Sequence, residues 1–398
     1  MNAKLMHTVL DILQTVRERK DQALIDYTEA FDHHSLESIK VGKEVLKESY
    51  EALDEDVKEA LKTARDRIEA YEKNILYYDK DFDAFKYVYH PLQKVGVYVP
   101  GGTALYPSSV LMTVVPAQVA GVREIHVTTP AFEQHNITFA TLYLLGIEHV
   151  YQVGGAQAIA ALAYGTETIP KVDKIVGPGN AYVAMAKRLV FGDVGIDGLA
   201  GPSEILLYVD DTVDVDAVTY DIFAQAEHDA NARTFLLSED QVLVDKIEQR
   251  LKELIDTQPR KEIIAASLAS HHYAIVDSRE NLLEILNEIA AEHVSVQHKD
   301  QDEIVERIQY AGAVFKGKYT PEAIGDYIAG PSHVLPTDGT ARFTHGLNAN
   351  DFLTSHAIIS LDNKTYQEIV EPAMRIAKTE QLFAHYDSLR VRKEADIK

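Results

Sequence analysis

Val95-Gly96-Val97-Tyr98-Val99-Pro100-Gly101-Gly102 opens the stretch that decides the fold. A short β-branched run ends in a glycine turn, and the same device returns at Val153-Gly154-Gly155-Ala156 and at Val176-Gly177-Pro178-Gly179-Asn180. The pattern predicts strands at 95–99, 124–128, 149–153 and 173–176. Helices are predicted near 107–120, 133–145 and 156–164, with another after Asn180. Strand–helix–strand alternation with short links is the signature of a parallel sheet with crossover helices. Ligands of such sheets bind beyond the carboxyl ends of the strands, so the three turns are the first place to look for a site.

A second α/β unit starts at 204–209 and continues with a helix over 214–228 and strands near 234–237, 272–276 and 313–316. Ala200-Gly201-Pro202-Ser203 reads as the hinge between the two units. Upstream, the first ninety residues read as helical and charged, with Leu46, Tyr50, Leu53, Val57, Ala60, Leu61, Ala64 and Ile68 recurring at helical spacing. Downstream, the last fifty residues hold one helix candidate near 364–378 and read as an appended tail. There is no internal repeat and no low-complexity tract.

Composition narrows the chemistry. In 398 residues, 39 Lys and Arg stand against 62 Asp and Glu, a formal charge of −23 that repels nucleic-acid phosphates and anionic membranes. Cysteine is absent, which excludes disulfides, thiolate metal sites, iron–sulfur clusters and a cysteine nucleophile. The uncharged run 95–122 is long enough to span a bilayer, but Pro100, Pro107, Pro116 and four glycines punctuate it. His7 and Asp11 break the first apolar stretch, so no secretory signal is read. A soluble, cytoplasmic protein is expected.

Each motif has two readings. The dinucleotide fingerprint G-x-G-x-x-G starts at Gly177 and fails where Tyr182 replaces the third glycine. The glycine turns either let backbone and helix amides approach an anion or are only tight connections. Gln225 and His228 are spaced i, i+3 at a helix end, as converging metal ligands are, and equally as buried structural residues are. Ala291-Glu292-His293 places an acid beside a base at an element junction, either a proton-transfer pair or a surface pair. Gly325-Asp326-Tyr327 and the segment from Gly330 to Thr337, which carries His333, are stiff and turn-rich. Glu380 and His385 in the tail pass alone as surface residues.

In combination the strings are specific. Gly-Gly-Ala-Gln-Ala-Ile-Ala-Ala-Leu-Ala-Tyr-Gly-Thr-Glu (154–167) is followed by Lys-Ile-Val-Gly-Pro-Gly-Asn-Ala-Tyr-Val (174–183) and Ala-Gly-Pro-Ser-Glu (200–204). Gln-Ala-Glu-His (225–228), Ala-Glu-His (291–293) and Gly-Pro-Ser-His-Val-Leu-Pro-Thr (330–337) come next. Together they resemble the histidinol dehydrogenase family, from about residue 15 to the C-terminus. Lys20-Asp21 stands where that family commonly has Gly-Asp.

The resemblance implies an α/β fold of two incomplete, Rossmann-like parallel-sheet domains with a helical N-terminal segment and a C-terminal tail. Residues 1–95 and 203–345 would form one domain, carrying most of the zinc-binding and catalytic residues. Residues 96–202 would form the other, with the NAD-binding turns, and 346–398 a dimerising tail. The implied activity is NAD-dependent, zinc-dependent oxidation of L-histidinol to L-histidine through histidinaldehyde, the last steps of histidine biosynthesis. One Zn2+ per subunit would be held by Gln225, His228, Asp326 and His385, and would orient the substrate. The substrate would meet those residues together with Ser203, His293, His333 and Glu380, while NAD would contact Tyr98, Gln157 and Asn180. Glu292 would activate the water that attacks the aldehyde, and His293 would take the alcohol proton. The working unit would be a homodimer whose tails complete each other's sites. Two alternatives remain at this point: a relative acting on another small polar alcohol, and a non-catalytic two-domain binding protein.

Overall fold

The computed structural model describes residues 3–101, 105–130, 136–199 and 201–395. Gly102, Ala200 and the expected helix start at 133–135 lie outside the described residues. In chain order the strands are β1 (Lys80–Phe82), β2 (Phe85–Pro91), β3 (Lys94–Tyr98), β4 (Glu124–Thr128) and β5 (His149–Tyr151). They continue with β6 (Lys174–Val176), β7 (Gly195–Ile196), β8 (Glu204–Val209) and β9 (Arg233–Ser238). The last are β10 (His272–Val276), β11 (His293–Gln297), β12 (Ala313–Lys316) and β13 (Leu353–Ile359). The chain divides into two compact units, Met1–Leu76 with Pro91–Phe352, and Tyr77–His90 with Leu353–Lys398.

The first unit holds two five-stranded sheets, ordered β5-β4-β3-β6-β7 and β10-β9-β8-β11-β12. Every pairing in both is parallel. Each order reverses direction at its centre, the doubly wound arrangement expected from the alternation of elements. Parallel sheets are covered on both faces, and β8 and β11 are buried along their whole length. Alternate residues of β8 serve the two faces. Ile205, Leu207 and Val209 pack with Val218, Ile222 and Leu236. Leu206 and Tyr208 pack with Leu282, Leu286 and Val294. The N-terminal helix Ala3–Arg19 contributes Val9, Ile12, Leu13 and Val16 to the core that holds Ala158–Ala163 of the helix Gly155–Tyr164.

The second unit corrects two expectations. Residues 80–91, read as the end of the helical segment, form the β1–β2 hairpin, which pairs with β13 in a three-stranded sheet. The preceding helix stops at Ile75, and the aromatic Phe85, Tyr87 and Tyr89 then recur at every second position, a strand period. The tail holds two helices rather than one, Asn363–Thr379 and Phe383–Ala395, in addition to β13. The second helix was missed because its apolar residues form no stripe, and none of its described side chains is buried.

One brace in the first sheet decides the shape of a turn. Gly177 sits at φ +115°, and a Cβ there meets the Tyr98 carbonyl oxygen at 2.1 Å, so only glycine fits. Its amide donates to Asp197 Oδ2 at 2.7 Å and its carbonyl accepts from Lys187 Nζ at 3.0 Å, while Lys187 and Asp197 also pair directly. Lys187→Met strips the cation from a buried carboxylate and is expected to cost about 3–5 kcal/mol. Urea unfolding measures it; a loss below about 1 kcal/mol shows that Asp197 finds another partner or water.

Candidate active site

In the first sheet the glycine turns gather beyond the carboxyl ends of the strands, where the rule for such sheets places ligands. A Cβ on Gly101 or on Gly154 meets Pro130 side-chain atoms at 2.7 Å, and Gly177 lies on Tyr98, so the turns converge beyond β3, β4, β5 and β6. All three residues implied for the cofactor are here, with different surroundings. Tyr98 is buried and its hydroxyl accepts the Gly155 N–H at 3.2 Å; burial pushes that hydroxyl up to about 12. Gln157 is buried in the first turn of the helix Gly155–Tyr164. Asn180 is exposed and caps the helix Ala181–Val190, accepting from the Tyr182 and Val183 amides at 3.0 and 3.1 Å. Both helix starts are therefore partly satisfied from within the chain.

The second sheet departs from the rule. Its carboxyl end is filled by an ionic cluster around buried His298, with Asp210 and Glu239 oxygens at 3.8 and 3.6 Å. Arg279 links Glu239 and Asp300 at 3.1 and 2.7 Å. The candidate residues gather at the amino end instead. Glu204 opens β8, and Glu292 stands immediately before His293, which opens β11.

Glu292 and His293 are both buried. Glu292 Oε2 accepts the Glu204 N–H at 2.9 Å, and the Ser203 hydroxyl also donates to its carboxylate. Burial nevertheless drives the Glu292 carboxyl well above the usual carboxylate range. His293 Nδ1 lies 3.0 Å from the Glu204 carbonyl oxygen and 3.2 Å from Gln225 Oε1. Both are acceptors, so Nδ1 carries the proton and the neutral ring keeps its lone pair at Nε2. Burial holds the ring neutral, its value lowered to about 4.

Nε2 of His293 faces Glu322 Oε1 at 3.8 Å. Glu322 begins the short helix Glu322–Tyr327, one turn before Asp326. This helix lies close because Gly325 has no side chain: a Cβ there meets Phe315 ring carbons at 2.6 and 2.7 Å. Asp326 Oδ2 lies 3.7 Å from His228 Nε2. The Asp326 main-chain carbonyl accepts from His333 Nδ1 at 3.0 Å, while His333 Nε2 lies 3.4 Å from Ser109 Oγ. Burial raises Glu322 to about 9, with Asp326 adding to the shift.

Ser203, Gln225, His228, Glu292, His293, Asp326 and His333 thus gather into one cluster in the first unit. Glu380 and His385 belong to the second unit, at the end of the helix Asn363–Thr379 and in the helix Phe383–Ala395, and both are exposed. Sequence reasoning missed three members. Glu204 was quoted only as the end of a string; it is buried and bonds Arg233 Nη1 at 2.9 Å. Arg233 in turn reaches Asp338 at 2.8 Å. Glu322 went unread although its i, i+4 spacing to Asp326 was available.

His228, Glu322 and Asp326 present ligand atoms within 4.8 Å of one another. Gln225 Nε2 and Glu322 Oε1 are buried without a hydrogen-bond partner. Such orphaned polar atoms beside an all-nitrogen-and-oxygen donor set fit a divalent metal such as zinc.

Comparison with known proteins agrees over the full length. The sequence profile described as histidinol dehydrogenase matches residues 1–393. The histidinol dehydrogenase of Staphylococcus saprophyticus is 48% identical over 398 residues, covering 98% of this chain and 94% of that protein. That of Staphylococcus aureus strain MRSA252 is 46% identical over 399 residues, covering 98% and 95%. The crystal structure of histidinol dehydrogenase from Elizabethkingia anophelis superposes with a TM-score of 0.95 at 33% identity, covering 99% of this chain and 93% of that one. An acetylating aldehyde dehydrogenase from Geobacillus thermoglucosidasius, with a TM-score of 0.52 at 12% identity over 90% of this chain and 98% of its own, shares the fold alone. Profile, relatives and structure converge on one assignment: the chain belongs to the histidinol dehydrogenase family.

Proposed function

We propose that the protein oxidises L-histidinol to L-histidine through histidinaldehyde, using NAD and one zinc ion per subunit. The observation that carries this reading is the cluster itself, in which buried Glu292 and His293 stand beside the His228–Glu322–Asp326 group. Gln225, His228 and Asp326 would hold the metal, with His385 as the fourth ligand. Bound zinc supplies a fixed positive charge that orients the substrate, and bound NAD supplies the hydride acceptor. Tyr98, Gln157 and Asn180 receive the cofactor at the first sheet's turns. Ser203, His333 and Glu380 complete the substrate contacts.

His293 takes the alcohol proton at Nε2, the atom left basic by the Nδ1 hydrogen bond. With no cysteine in the chain, a thiohemiacetal route to the acid is closed. Glu292 instead takes a proton from the water that attacks the aldehyde, giving the monoanion of the hydrate, RCH(OH)O−, ready for the second oxidation. Its burial suits that task, because a carboxylate lifted above its usual range is a stronger base.

The second unit supports a homodimer with exchanged tails. Its small sheet and helices leave Phe82, Phe85, Ile359, Ile376 and Phe383 exposed, apolar area of the kind that subunit contacts cover. Among the described residues no helix is long and apolar enough to cross a membrane. We assign the enzyme to the cytoplasm, where soluble amino-acid precursors and NAD are found.

The test is NADH formation from L-histidinol by the purified protein, with and without a chelator. His228→Ala removes one of the proposed ligands, and is expected to lose bound zinc and turnover while keeping its melting temperature. Full activity in metal-stripped His228→Ala contradicts the site.

A further inference from the structure

Glu322 is a buried carboxylate of the cluster to which the proposed function assigns no role of its own. Only 2% of it is exposed, and Oε1 has no hydrogen-bond partner. It is no accident of a loose loop, because Gly325 packs on Phe315 and fixes the helix that carries it. The surroundings are acidic: Glu204, Asp221, Glu292 and Asp326 lie around the same space. Among the described residues, Arg233 is the only lysine or arginine that pairs with any of these carboxylates, and it is taken by Glu204 and Asp338. The Glu322 carboxyl also hydrogen-bonds the Asp326 side chain, which leaves Oε1 open to a donor from outside the chain, preferably a cationic one.

The neighbouring acceptor defines which donor. His293 Nε2, the lone-pair nitrogen, stands 3.8 Å from Glu322 Oε1. Two acceptors at that separation match two donors on adjacent carbons, and in a staggered 1,2-amino alcohol the nitrogen and oxygen lie roughly 3 Å apart. We propose that Glu322 is a substrate-binding residue that accepts a hydrogen bond from the amino group of the amino alcohol, while the adjacent hydroxyl donates to His293 Nε2. This rests on the histidinol reading and extends it. Glu322 selects for the amine and, through it, turns the hydroxyl toward the base. An amine that also engages a metal keeps N–H groups to donate.

Calorimetric titration of the zinc-loaded protein, without NAD, tests this with three probes. L-histidinol carries amine and hydroxyl, histamine only the amine, and imidazole propanol only the hydroxyl. In Glu322→Gln the two amine probes are expected to weaken by about tenfold to a hundredfold, the loss of one charge-assisted hydrogen bond. Imidazole propanol is expected to stay within about twofold, since its contacts lie elsewhere. Zinc stoichiometry and melting temperature serve as controls. Glu322→Ala supplies a second variant, and Glu322→Asp is expected to recover part of the amine preference. Equal weakening of all three probes, or weakening of none, overturns the assignment of Glu322. If the folded wild-type protein binds no L-histidinol, the histidinol reading fails and takes this inference with it. If it does bind, and His228→Ala does not, a negative result in Glu322→Gln condemns the inference alone.

Discussion

In Glu292→Gln, aldehyde oxidation is expected to fall about 10²- to 10⁴-fold, the usual worth of a positioned general base, with a much smaller loss in alcohol oxidation. The amide oxygen of glutamine can still accept the Glu204 N–H, so the shape of the site survives while the capacity to take a proton from water does not. Stability separates chemistry from damage. Burial raises the Glu292 carboxyl, so the folded state binds that proton more tightly than the unfolded chain does. Folded stability is therefore lost as pH climbs above the ordinary glutamate range, and at neutral pH the ionised group is a burden. Glu292→Gln removes it, and the variant is expected to melt no lower than wild type at pH 7. His293→Asn is expected to damage the alcohol step as well. Single-turnover assays begun from alcohol and from aldehyde distinguish the two; equal defects at both steps in Glu292→Gln defeat the division of labour.

Mixing two dead variants is expected to restore activity. His228→Ala and His385→Ala each break one presumed ligand, in the first and second unit respectively. If the tail completes the neighbour's site, a mixed dimer has one site with both defects and one with neither. Random reassortment then returns roughly a quarter of the normal sites, from simple counting for independent sites in a twofold assembly. The assay is turnover after subunit exchange, with exchange followed separately by a tag on one variant. Activity that stays at zero once exchange is complete means that His385 serves its own chain.

The parts of this fold that were legible are those with local signals. β4, β8, β10 and β12 fall where the sequence puts them, because β-branched runs end in sharp turns and the helices between them have no other face to bury. Gln225 was read at a helix end, spaced i, i+3 from His228, and it is fully buried there. The hairpin at 80–91 was illegible because its exposed aromatics follow directly on a long charged helix and its partner strand lies more than 250 residues away in sequence. The site shows the same divide. Glu292 and His293 announce themselves as adjacent acid and base, whereas Glu322 became visible only when the packing of Gly325 on Phe315 brought its helix to His293. Nor does sequence reveal that the candidate residues gather at the amino end of the second sheet. That follows from Arg279, Glu239, Asp300 and His298 filling the opposite end, a set of side chains drawn from two strand ends and a helix.

That filled end limits how many guests the enzyme can serve at once. Two sheets of the same strand order offer, in principle, two crevices for a dinucleotide, but paired charged side chains occupy one of them. If the chain carries out the proposed four-electron oxidation with the first sheet's turns as the single berth for its oxidant, two carriers must dock one after the other. The half-finished aldehyde must then outlast a changeover. Its residence time on the protein, rather than the speed of either chemical step, becomes the quantity on which clean delivery of the final acid depends.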